Sequence, residues 1–138
     1  MNHYCLSVFL VALAVVGVVL SAPEKSFEEN LTIFRKVNVD DVLKSDRLVK
    51  NYVDCMIGSK SCTAEGAALK AIWRKILDDP CKETCSQEDK RKVQKCIKHL
   101  YVNHRNWYDE LETTLINDEE YQKRYKTYLD AILKDDTL

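Results

Sequence analysis

The sequence predicts an all-α fold, and three observations carry that reading. Apolar residues recur at intervals of three and four, with almost no period-two alternation, which is the pattern of one buried helix face. Only 3 glycines and 2 prolines punctuate the 138 residues, which suits helices better than sheets. Residues able to cap a helix stand where the apolar stripes begin.

The amino-terminal segment stands apart from this pattern. Cys5 to Leu20 is almost unbroken apolar, Ser21 and Ala22 are small, and Pro23 opens a charged stretch. That is a secretory signal with a weak n-region, residues 1–21. The run is slightly short for a membrane span, and no basic stop-transfer cluster follows it. Cleavage after Ser21 is therefore expected, leaving residues 22–138 as a single all-helical domain. Residues 22–37 read as a polar, extended arm. Within it, Asn30-Leu31-Thr32 is an N-glycosylation sequon, with Asn30 as the acceptor.

The elements then follow in order. A short helical turn is expected around Val39 to Leu43. Ser45 is placed to cap a helix bearing Leu48, Val49, Tyr52, Val53, Met56 and Ile57. Ala64, Ala67, Ala68, Ala71, Ile72, Ile76 and Leu77 form the next stripe, beginning after Thr63 and ending by Pro80. Its alanines suit either tight helix contact or an interior left open. Ser86, with Asp89 three residues on, makes a capping box ahead of Val93, Cys96, Ile97, Leu100 and Tyr101. Trp107, Tyr108, Leu111 and Leu115 mark a shorter helix. Asn117, with Glu120, opens the last, which carries Tyr121, Tyr125, Tyr128, Leu129, Ile132 and Leu133.

Charge and motifs narrow the function. Every charged side chain lies after Ser21, with 21 Lys and Arg against 22 Asp and Glu, a net charge of -1. This balance argues against nucleic acid as a partner and against an anionic membrane surface. No membrane insertion of the mature chain is expected. His99 and His104 are five apart and share a helical face poorly. No serine sits in a nucleophile elbow and no glycine-rich phosphate loop is present. The reading is of a non-enzyme without a cofactor.

Cysteine usage points to a stapled scaffold. Cys5 leaves with the signal, so five of the 6 cysteines remain, in an oxidising compartment. Seven positions along one continuous helix rise about 10 Å, too far for a disulfide. A Cys55–Cys62 bridge would therefore need a chain reversal, which Gly58-Ser59-Lys60-Ser61 suits. A Cys81–Cys85 bridge would close a smaller loop. Cys81, Cys85, Cys96 and His99 also make a zinc-ligand set at tolerated spacing. Cys96 sits within an apolar stripe, as a buried free thiol or as a link between two copies.

The stretch Asn38-Val39-Asp40-Asp41-Val42-Leu43-Lys44-Ser45-Asp46-Arg47-Leu48 runs into Asn51-Tyr52-Val53-Asp54-Cys55. Cys62-Thr63-Ala64-Glu65-Gly66 follows, then Trp107 and Tyr121-Gln122-Lys123-Arg124-Tyr125. With the cysteine gaps, this resembles the insect chemosensory proteins, the olfactory-segment-D family. The resemblance implies a compact six-helix fold with disulfides Cys55–Cys62 and Cys81–Cys85, which leaves Cys96 free and no metal. It implies secretion into an extracellular fluid such as sensillar lymph or haemolymph. It also implies a hydrophobic channel for semiochemicals, fatty acids, long-chain esters or alcohols. Tyr52, Trp107 and Tyr121 match positions of gate or wall aromatics. Leu48, Ile72, Ile76, Ile97, Leu100 and Leu111 are the expected wall. A monomer is expected, with a Cys96-linked dimer as the alternative. The chain departs from the family pattern in having three residues between Cys81 and Cys85 where two are usual. The competing function classes are a secreted helical interaction or signalling protein without a cavity, and a zinc-binding module.

Overall fold

The computed structural model describes residues 22–78 and 84–138. Among these residues there are helices and connections and no strand: α1 (Phe27–Arg35), α2 (Val39–Leu43), α3 (Asp46–Ile57), α4 (Ala64–Asp78), α5 (Gln87–Asn103), α6 (Arg105–Leu115) and α7 (Glu119–Lys134). The all-α expectation holds. The signal segment and Cys81 lie outside the described residues. None of the described helices is long and apolar enough to cross a membrane.

The helix ends show why the chain folds at these points. The Ser45 hydroxyl accepts from the Leu48 N–H and starts α3. Gly58 stops it with φ 84, its N–H donating to the Asp54 and Cys55 carbonyls. Glycine adopts this left-handed backbone without a Cβ clash. The reversal brings Cys55 and Cys62 to a Cα–Cα distance of 4.8 Å, and they form a disulfide. Thr63 Oγ1 then accepts from the Gly66 N–H as α4 begins. A Cβ on Gly66 would stand 2.9 Å from Cys55 Sγ, so glycine here makes room for the bridge. Ser86 and Asp89 make the reciprocal capping box of α5. Asp118, one residue later than the expected Asn117, caps α7 by accepting from the Glu120 and Tyr121 N–H groups.

The expected extended arm is corrected by α1. Ser26 and Glu29 form a full capping box, and Leu31 and Phe34 are 1% and 2% exposed. The helix exists because Phe27, Leu31 and Phe34 fall on one face and α4 offers them an apolar partner. Burying each large side chain contributes about 1.5–3 kcal/mol, more than nine residues of intermediate propensity oppose. The glycan expected at Asn30 is corrected as well. Asn30 is buried, and its Nδ2 donates to the Lys25 and Ser26 carbonyls at 3.2 and 3.0 Å. A sugar on that nitrogen has no room in this fold.

The carboxyl end of α1 is stitched to the start of α5. Arg35 donates to both Asp89 carboxylate oxygens and to the Thr84 carbonyl. Lys92 Nζ donates to the Arg35 and Val37 carbonyls. Burial raises the Asp89 pKa, but the Arg35 guanidinium and the Ser86 N–H and hydroxyl outweigh that and hold it below the usual aspartate value. At the other end, Arg91 and Lys98 hold the tail after α7 through the Thr137 and Asp135 carbonyls.

Candidate functional site

A hollow of about 110 Å³ lies among the helices, and every helix contributes to its wall. The lining is apolar apart from Glu112, the phenols of Tyr52, Tyr108 and Tyr125, the Cys96 thiol and the indole of Trp73. On α3, Val49, Tyr52, Val53 and Met56 face it from successive turns, as a stripe at three and four must. Cys96, Ile97 and Leu100 face it from α5, and Leu111, Glu112 and Leu115 from α6. Phe34 reaches it from α1, which is how the added helix closes the wall.

Of the residues expected to bind ligand, Tyr52, Ile97, Leu100 and Leu111 line the hollow. Ile72 and Ile76 do not: both have 0% exposure and lie on the fully packed row of α4. The neighbouring row of the same helix, Leu69 and Trp73, faces the hollow in their place. The alanines do not open it either. Ala64, Ala67 and Ala71 are exposed, and Ala68 is sealed at 0%. Leu48 is half-buried on α3 outside the lining.

Trp107 also lies outside the wall. Its ring stacks on His104 at 4.0 Å, with Lys50 Nζ at 5.6 Å. Tyr121 is 2% exposed, stands edge-on to Trp73 and faces Arg74, and its buried hydroxyl has no partner. Both aromatics serve packing at these positions. Sequence reasoning missed Trp73, Tyr108, Glu112 and Tyr125. The stripe of α6 carried a usable signal, since Glu112 follows Leu111 and lies one turn from Tyr108.

The polar atoms of the wall are not all alike. Tyr108 Oη lies 3.2 Å from Tyr125 Oη and 3.4 Å from Glu112 Oε1. Burial pushes the Tyr125 phenol up to about 12, and raises Tyr108 with the help of Tyr125 and Glu112. Both stay neutral donors. Burial likewise pushes the free Cys96 thiol up to about 12, so it packs as a small apolar group and not as a thiolate.

Cys96 and His99 diverge. Cys96 faces the hollow, whereas His99 lines an outer cleft with Lys95 and Lys98, its Nδ1 3.2 Å from Asn103 Nδ2. Burial lowers the His99 pKa, and His104 adds to that. Among the described residues no group of three His, Cys, Asp or Glu could hold a metal ion.

The sequence and the fold match known proteins. The profile of the insect pheromone-binding family, A10/OS-D, matches residues 31–123. The chain is 34% identical over 122 residues to ejaculatory bulb-specific protein 3 of Drosophila melanogaster, covering 88% of this chain and 94% of the relative. It is 27% identical over 127 residues to the allergen Tha p 1 of Thaumetopoea pityocampa, covering 92% and 98%. In structure it resembles antennal chemosensory protein A6 from the moth Mamestra brassicae with a TM-score of 0.55 at 26% identity, over 69% of this chain and 92% of that one. The resemblance drawn from the residue stretches and the cysteine gaps is thereby shown, and with it a function of binding and not of catalysis. The chain belongs to the insect pheromone-binding family, A10/OS-D.

Proposed function

We propose that the protein is a secreted carrier that takes small, long-chain hydrophobic molecules into the hollow between its helices. The apolar wall formed by all the described helices is the observation that carries this reading. Each methylene leaving water for such a wall gains about 0.8 kcal/mol. A sixteen-carbon chain thus offers on the order of 12 kcal/mol before the several kcal/mol that association costs. Micromolar binding with loose selectivity follows.

Size refines the proposal. The hollow of about 110 Å³ is below the ~150 Å³ that holds a benzene and the ~300 Å³ of common ligand sites. A long chain enters only if the wall yields. Met56 is the flexible side chain there, and Leu43, Leu69, Ile97, Leu100 and Leu111 are half-buried, not locked. The carrier is therefore a closed resting form that swells around its cargo. Displacement of a fluorescent fatty-acid analogue by unlabelled long-chain compounds tests this. Saturable displacement is the expected result; no displacement by any long-chain compound returns the protein to the cavity-free interaction class.

A further inference from the structure

One phenol on the wall of the hollow holds a proton that no neighbour takes. Tyr125 lines the hollow and is 4% exposed. Its hydroxyl oxygen lies 3.2 Å from that of Tyr108 and accepts from it. Tyr108 also donates toward Glu112 Oε1, at 3.4 Å. A phenol has one proton to give and lone pairs to accept with. The Tyr108 proton is thus shared between two acceptors, whereas the Tyr125 proton meets no acceptor among the described residues.

A buried donor without an acceptor is rare in a folded protein, because the hydration it loses is not replaced. Two features suit this one to a ligand. Its oxygen is held from α6, since Tyr108 donates to it across the gap between α6 and α7. Accepting that bond also polarises the Tyr125 O–H and strengthens it as a donor. Burial pushes its pKa up to about 12, so the proton stays in place at neutral pH. The wall's other donors are the Tyr52 phenol, the Trp73 indole and the Cys96 thiol. A thiol donates weakly. Tyr52 is only half-buried, so leaving its proton unmet by cargo costs less.

We propose that the Tyr125 hydroxyl anchors the oxygen end of the cargo, so that the hollow is built for chains ending in an accepting oxygen, such as that of a ketone, an aldehyde, an alcohol or an ester. This rests on the carrier reading above. The cargo's oxygen takes the Tyr125 proton where α7 meets α6, and its alkyl part meets the apolar remainder of the wall. A hydrocarbon of the same shape shuts that proton away unmet.

Two compounds of one shape test the anchor: 2-nonanone and 2-methyl-1-nonene, which carry C=O and C=CH2 at the same position. Each is supplied from the vapour at known activity, and displacement of bound N-phenyl-1-naphthylamine is read at neutral pH. Tyr125→Phe weakens the ketone roughly fivefold relative to its effect on the alkene, the scale of one neutral hydrogen bond. Tyr52→Phe shifts both compounds alike. In the unmodified protein the Cζ resonance of Tyr125 moves further when the ketone binds than when the alkene does. Equal effects of Tyr125→Phe on the two compounds, a difference that appears in Tyr52→Phe instead, or an equal response of the Cζ resonance to both compounds overturns the anchor and leaves the carrier standing. A probe that yields to neither compound, or fails to bind, overturns the carrier and the anchor with it. The resonance decides the matter even if Tyr125→Phe does not fold.

Discussion

The α1–α4 contact and the wall of the hollow are built from the same residue types and come out differently. Between α1 and α4, Leu31, Ala68, Ile72 and Ile76 are at 1% or 0% exposure and no space is left. Across the hollow, Tyr52, Leu69, Ile97, Leu100 and Leu111 stay half-buried around a gap. On one helix, α4, the two regimes lie a single residue apart: Ile72 is sealed and Trp73 looks into the space. Hydrophobicity alone does not decide between them. What differs is what each row of α4 meets: Ala68, Ile72 and Ile76 are sealed, and Leu69 and Trp73 border the hollow.

The largest test of this contrast is truncation on each side. Ile76→Ala removes a fully packed side chain and should cost about 2–5 kcal/mol, read by urea unfolding. Leu100→Ala sits beside space that already exists and should cost less than half as much while changing the affinity for a long-chain probe. Equal losses would mean that the two regions are packed alike.

A smaller effect is expected where the two regions are joined. Asp89 ties α1 to α5, and its folded pKa is depressed. Its contribution is therefore full above the unfolded aspartate pKa of ~3.9 and is lost as pH falls through the lower folded value. Asp89→Asn should cost about 1–3 kcal/mol near neutrality, and the gap between variant and parent should close in acid. A gap that persists unchanged at low pH would show that the carboxylate's charge is not what holds the seam.

The smallest effect serves as a control. A Cβ on Gly58 would meet nothing within 4 Å, yet φ is +84. Gly58→Ala should cost about 1 kcal/mol of backbone strain and leave probe binding untouched. Altered binding would mean that the corner and the hollow are coupled.

Much of this was legible in the residues. Caps that use Ser45 and the Ser86–Asp89 pair were readable because each is a local side chain-to-backbone bond. The Cys55–Cys62 pairing was implied by the family resemblance, and helix geometry added that such a bridge needs the chain reversal that Gly58 begins. The first helix was not read, although Ser26 and Glu29 spell a capping box, because its short apolar face finds its partners far along the chain, on α4 and at the start of α5. The cavity wall was half legible. Periodicity identifies a buried stripe but not which of two adjacent rows meets solid packing, so Ile72 and Ile76 were expected where Leu69 and Trp73 stand. Trp107 stands outside the lining because its ring stacks on His104, three residues before it.

The tucked-in amide of Asn30 has a practical consequence for anyone making this molecule. Oligosaccharide is transferred to a growing polypeptide, before any helix can hide the acceptor. A sugar on that amide nitrogen would displace its bonds to the Lys25 and Ser26 carbonyls and oppose the docking of α1 on α4. Intact mass of secreted material then shows whether the acceptor was modified before α1 docked on α4.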